Sequence, residues 1–138
     1  MGVKGGRPME IMQVLVADDQ PGVRMLLRVL LEKMGFGVIE AKNGQEAVEK
    51  ALNLRPGLII IDMRMPYKSG DEAIKEIHPL LPTTDFIVMT AYTAPEVLER
   101  IERDKVFEVI AKPFDIDDFR LLIEKYLKEK FPWKYVVI

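Results

Sequence analysis

The sequence predicts an α/β protein, a doubly wound sheet of five parallel strands with helices on both faces. From Ile11 onward, five short apolar runs alternate with five amphipathic stretches, and three of those runs are almost wholly apolar. An uninterrupted apolar run suits a strand covered on both faces, whereas a sheet open to water on one side would alternate apolar and polar residues. The connections are short, and regular strand–helix alternation implies right-handed crossovers within one parallel sheet.

The first strand is expected near Gln13 to Ala17. It is followed by a helix between Gln20 and Met34, whose Val23, Leu26, Leu27, Leu30, Leu31 and Met34 recur at helical spacing and whose C-terminal stop is Gly35. The second strand, Gly37 to Glu40, mixes apolar residues with a charge and reads as a sheet edge. Asn43 caps a second helix with the stripe Ala47, Val48, Ala51 and Leu52, ended by Pro56-Gly57. Leu58 to Ile61 forms the third strand, and a third helix runs from Ser69 or Gly70 toward Leu80, closed by Pro79 and Pro82. Phe86 to Met89 is the fourth strand, and Thr93 is the N-cap of a fourth helix with Pro95 in its first turn. The fifth strand is Phe107 to Ala111, and Asp115 caps a last helix with Leu121, Leu122 and Tyr126, joined by Ile116 or Phe119, facing inward. The eight methionines read as core, and His78, beside Pro79 at a helix end, reads as a surface or half-buried residue with no part in chemistry.

The chain has 138 residues, 49% apolar and 30% charged, which is ordinary for one globular domain and argues against disorder. Residues 1–10 are expected to be a flexible leader, 11–130 the folded domain and 131–138 an apolar tail around Trp133, too few residues for an output domain. A net charge of −2 leaves no basic footprint for nucleic acid. Zero cysteines exclude disulfides, thiolate metal sites and cysteine nucleophiles, and a cytoplasmic location is the simplest reading. No apolar run approaches a membrane span or a secretory signal.

Polar residues break the apolar pattern at the strand ends. Asp18-Asp19 follows the first strand, Asp62 the third, Thr90-Ala91 the fourth and Lys112-Pro113 the fifth. In an open parallel sheet, ligands bind beyond the carboxyl ends of the strands, so these residues are predicted to share one pocket. Three carboxylates, a hydroxyl and an ammonium suit a hard divalent cation and a phosphoryl group. Mg2+, with Mn2+ as its substitute, takes such oxygen ligands. Without a cation the carboxylates would repel one another and tend to raise their pKa values. Alone, each residue has a plain alternative: Asp18 and Asp19 as helix caps, Asp62 as a loop opener, Thr90 as a strand residue, Lys112 as a solvated lysine. The strand-end placement of all of them argues for the shared site.

In this order and spacing, Asp18-Asp19, Asp62, Thr90-Ala91 and Lys112-Pro113 resemble the receiver domain of two-component response regulators over about Gln13 to Lys128. Within that family, Asp18-Asp19-Gln20 with Gly22 and Arg24, Met89-Thr90-Ala91-Tyr92 and Ala111-Lys112-Pro113-Phe114 are similar to small phosphorelay regulators of sporulation. The resemblance implies a flavodoxin-like fold with strand order 2-1-3-4-5, a class for which a chemotaxis receiver is a standard example. It implies Asp62 as phosphoacceptor, with Thr90, the Ala91 backbone N–H and Lys112 contacting the phosphoryl oxygens. Asp18, Asp19, Asp62 and the Arg64 backbone carbonyl would hold the metal, and Lys112-Pro113 would be a cis peptide. Thr90 and Val109 would be the switch pair, with Val109 standing where the family commonly carries an aromatic residue and so implying weakened coupling to the face of the fourth helix, fifth strand and fifth helix. Arg64 and Tyr92 would restrict the water that attacks a phosphoryl group on Asp62.

The implied partners are a sensor histidine kinase and a histidine phosphotransfer protein, docking over Gln20, Gly22, Val23, Leu26, Arg64, Tyr92, Pro113 and Phe114. A relay intermediate is the function this implies, with a stand-alone regulator or a binding-only receiver as alternatives. A haloacid-dehalogenase-type phosphatase would need an aspartate two residues after its nucleophile, where this chain has Arg64. A flavodoxin would need a hydroxyl- and glycine-rich phosphate loop in place of Asp18-Asp19-Gln20-Pro21.

Overall fold

The structure, a computed structural model, describes residues 12–91, 99–101 and 103–132. Its elements are β1 (Gln13–Ala17), α1 (Pro21–Lys33), β2 (Gly37–Ala41), α2 (Gly44–Leu54), β3 (Leu58–Asp62), α3 (Gly70–Ile77), β4 (Asp85–Thr90), a short 3-10 turn (Arg103–Lys105), β5 (Glu108–Ala111) and α4 (Ile116–Lys130). The expected leader, Tyr92, the helix beginning at Thr93 and Trp133 with the rest of the tail lie outside the described residues.

All strand pairs are parallel and the sheet runs β2-β1-β3-β4-β5. This is the order 2-1-3-4-5, with β2 at an edge as expected. Successive residues of one strand point to opposite faces, and the core divides accordingly. Leu15, Ile59, Ile61, Phe86 and Val88 pack under α2 and α3 with Ala47, Ala51, Ala73 and Ile77. Val14, Val16, Leu58, Ile60, Ile87 and Met89 pack on the other face against Leu27 and Leu31 of α1 and Phe119, Ile123 and Tyr126 of α4. The unbroken apolar strands are thus filled from both sides.

The helix ends follow local chemistry. The Asn43 side chain accepts from the Glu46 N–H, and Ser69 with Glu72 forms a reciprocal capping box at α3. Asp115 caps α4 by accepting from the Asp117 N–H, as expected. Gly35 leaves α1 at φ 98°, a conformation costly for a residue with a Cβ. Helix α2 ends at Leu54, with Arg55 in the left-handed region directly before Pro56-Gly57 as expected, and α3 stops at Ile77 rather than running to Leu80.

Some expected core residues face water. Leu26, Met25, Leu121 and Ile116 are exposed, while Phe119 and Ile123 complete the inward face of α4. Helical spacing identified an apolar sector wider than the one the sheet covers, and the residues at its rim stay outside. His78 is half-buried at the end of α3, beside the Phe86 ring. Phe131, the first residue of the expected tail, packs on the α1/α4 side of the core. No helix among the described residues is long and apolar enough to cross a membrane.

Candidate functional site

The sequence-predicted residues meet at the carboxyl edge of the sheet. Because β1 lies directly beside β3, Asp18 and Asp62 leave adjacent strands side by side. Carboxylate oxygens of Asp18, Asp19 and Asp62 all lie within 4.8 Å of one another, with Asp18 and Asp62 buried and Asp19 exposed. Lys112, following β5, reaches across β4 to this cluster. Its Nζ donates to Asp18 Oδ2 at 2.8 Å, to Gln20 Oε1 at 3.0 Å and to Asp62 Oδ2 at 3.3 Å. Asp18 Oδ1 accepts from the Gln20 backbone N–H at 2.9 Å.

One ammonium among three carboxylates leaves a surplus of negative charge. Burial, reinforced by the neighbouring Asp18, pushes the Asp62 carboxyl above its ordinary value, and Lys112 only partly offsets this. Burial alone would pull the Lys112 ammonium down. The hydrogen bond and charge of Asp18, followed by those of Asp62, outweigh burial and raise it. A clustered, hard, all-oxygen donor set with unbalanced negative charge fits Mg2+.

Thr90 ends β4, fully buried, and its backbone carbonyl accepts from the Lys112 N–H at 2.8 Å. Ala91 is exposed at the mouth of the site. Val109 is half-buried in β5, paired in register with Val88, two residues before the Thr90–Ala111 pair. The Lys112-Pro113 peptide is cis. Of the expected docking residues, Gln20, Val23, Leu26, Arg64, Pro113 and Phe114 line one groove of about 620 Å³ together with Asp62, Ala91 and Lys112. Gly22 is exposed on α1 outside that groove lining, and Tyr92 lies outside the described residues.

The geometry also adds residues that the motif reading passed over. Gln20, expected only at a docking surface, is an acceptor for Lys112. Gly70 matters through proximity: a Cβ there would fall 2.5 Å from the Asp62 carbonyl oxygen. The glycine after a capping serine was the available signal, but its contact with β3 is tertiary.

The family model described as the response regulator receiver domain matches residues 14–124. The chain belongs to the response regulator receiver domain family. This receiver domain is 34% identical over 118 residues to sporulation initiation phosphotransferase F of Bacillus subtilis, covering 86% of this chain and 95% of that protein. It is 37% identical over 103 residues to the chemotaxis protein CheY of Thermotoga maritima, covering 74% of this chain and 86% of that one. Longer relatives also match: regulatory protein AtoC of Escherichia coli is 32% identical over 86% of this chain, which spans only 26% of AtoC. Among solved structures, a CheY-like receiver domain protein from Methanospirillum hungatei superposes with a TM-score of 0.81 at 25% identity, covering 87% of this chain and 96% of the other. Phosphorylation of an aspartate and binding of Mg2+ at an acidic pocket are characteristic of receiver domains, which receive the phosphoryl group from histidine kinases.

Proposed function

We propose that Asp62 accepts a phosphoryl group from a kinase phosphohistidine and that the chain passes it on to a histidine phosphotransfer protein as a phosphorelay intermediate. The observation that carries the acceptor assignment is the meeting of the three carboxylates with Lys112, whose Nζ lies 3.3 Å from Asp62 Oδ2.

In the transfer, an Asp62 carboxylate oxygen attacks phosphorus in line. The new O–P bond forms as the P–N bond breaks, and the electron pair leaves with the imidazole. Catalysis of such a loose transfer is mostly positioning and electrostatic stabilisation. Lys112 supplies a point charge with rotatable donors that turns from Asp62 to a phosphoryl oxygen. The Thr90 hydroxyl and Ala91 N–H donate to the other oxygens. Asp18, Asp19, Asp62 and the Arg64 carbonyl would hold Mg2+, which when bound supplies positive charge to the phosphoryl oxygens.

The relay reading is supported by similarity to a protein named as a sporulation initiation phosphotransferase and by a groove that joins the acceptor to Val23, Leu26 and Phe114. Intact mass after incubation with acetyl phosphate tests the acceptor: a Mg2+-dependent phosphoryl adduct is expected, and its persistence in Asp62→Asn would refute the assignment. Rapid return of phosphate from the adduct to a histidine phosphotransfer protein is expected of a relay. Phosphate that stays on the chain would make it a terminal regulator.

A further inference from the structure

We propose that Arg24 is a positioning residue for the acidic pair, acting through the peptide that joins Asp18 to Asp19. This rests on the metal-dependent phosphoacceptor reading above and extends it to a residue outside the pocket. Arg24 Nη1 donates to the Asp18 carbonyl at 2.7 Å, while its Nε donates to Glu40 Oε1 at 3.0 Å. The guanidinium is mostly buried, with 16% of the side chain exposed.

Glu40 sits on the edge strand β2 and is itself fixed. Its other oxygen accepts from Arg28 Nε at 2.6 Å, and its backbone carbonyl accepts from Lys50 Nζ at 2.6 Å. On the opposite side of the same residue, the Asp18 N–H donates to the Ala41 carbonyl of β2 at 3.1 Å. The edge strand therefore holds Asp18 by its N–H directly and by its C=O through Arg24.

A peptide plane is rigid, so fixing the Asp18 carbonyl fixes the amide and the Cα of Asp19 and leaves only rotation about its N–Cα bond to set where its Cβ leaves the chain. Asp18 has further constraints, since both carboxylate oxygens are hydrogen-bonded. Asp19 is the exposed member of the cluster, and its aim depends most on the backbone. A planar fork with several donors can hold a carbonyl and a carboxylate together, which a lysine cannot do in the same geometry. Partners that orient metal ligands contribute strongly to metal affinity.

Calorimetric titration of the full chain with MgCl2 tests this. Arg24→Met is expected to weaken Mg2+ binding about tenfold, the lower end for loss of an orienting partner, and Arg24→Lys about threefold. Arg28→Met is the control, because it also strips a partner from Glu40 but makes no contact with Asp18; its Mg2+ affinity is expected to stay within about twofold of the parent. Amide NMR of the metal-free proteins supplies a second readout, with the Asp18 and Asp19 signals moving in Arg24→Met and staying in Arg28→Met.

Unchanged affinity in Arg24→Met, or equal weakening in Arg28→Met, overturns the proposal. Should Arg24→Met fail to fold, Arg24→Lys decides, and parental affinity there overturns it. Absence of Mg2+ binding by the parent would instead refute the metal-dependent reading itself. The metal-free amide signals would then still separate a positioning Arg24 from a merely stabilising one.

Discussion

At the end of β3 a carboxylate occupies a place that disfavours its charge. Burial and the nearby Asp18 raise the Asp62 pKa above the ordinary 3.8, against the pull of Lys112. For an acid, a raised folded-state pKa means that ionisation opposes folding, so this contribution weakens metal-free stability as pH rises from the ordinary value through the folded one. Asp62→Asn is therefore expected to raise the metal-free melting temperature at about pH 7 by about 4 °C, the shift that roughly 1 kcal/mol produces in a domain near this size. The gain should vanish near pH 3, where the parent is protonated, and Mg2+ should stabilise the parent more than the variant. Differential scanning calorimetry with and without Mg2+ measures both. The acidic residues were legible because each interrupts an apolar run. The preference of Lys112 for Asp18 over Asp62 was not, because it depends on the distance between two strand ends separated by β4.

Edge strand β2 and helix α1 are joined by charge where they are not joined by core. The Arg28 hydrogen bond, with further help from Arg24, outweighs burial and holds the Glu40 carboxyl below its ordinary 4.5. A depressed acid stabilises the fold above its unfolded-state pKa and loses that contribution as pH falls through the folded value. The urea midpoint of Glu40→Gln should accordingly lie below the parent's at about pH 7, and the gap should close as pH falls below 4.5. At α3 the constraint is steric. A Cβ at residue 70 would approach the Asp62 carbonyl oxygen at 2.5 Å and the Met63 Cα at 3.1 Å, and both are backbone atoms that cannot swing away. Gly70→Ala is expected to cost about 1–3 kcal/mol, typical of overpacking, and to slow adduct formation with acetyl phosphate by displacing Asp62. Sequence periodicity located these helices and offered Phe119 or Ile116 as inward-facing, of which the sheet takes up Phe119, but it could not tell that the sheet would leave Leu26 and Leu121 exposed and take up Ile123.

Across the whole molecule, the two ends of the sheet divide the work. The carboxyl ends carry the acidic cluster, whereas at the opposite end the Tyr126 hydroxyl of α4 donates to Asp85 Oδ2 at 2.7 Å and Lys130 pairs with Asp85 Oδ1 at 3.0 Å. Burial and the Asp85 carboxylate push the Tyr126 phenol far above its usual range, so it remains a donor. Tyr126→Phe should cost about 1 kcal/mol, the usual worth of one such hydrogen bond, seen in the urea midpoint, with an unchanged rate of acetyl phosphate adduct formation. The sequence by itself determined the doubly wound class, because strands such as Leu58 to Ile61 are apolar on both faces and only a sheet covered twice can bury them. It also determined which chemical groups stand at the strand ends. Only the tertiary structure decided how those groups connect: Lys112 to Asp18, Gly70 to Asp62, and Arg24 to both Asp18 and Glu40. Local periodicity carries no record of which strands are neighbours: Arg24 bridges Asp18 and Glu40 because β1 lies beside β2, and Lys112 reaches Asp18 because β5 closes the same sheet two strands beyond β3.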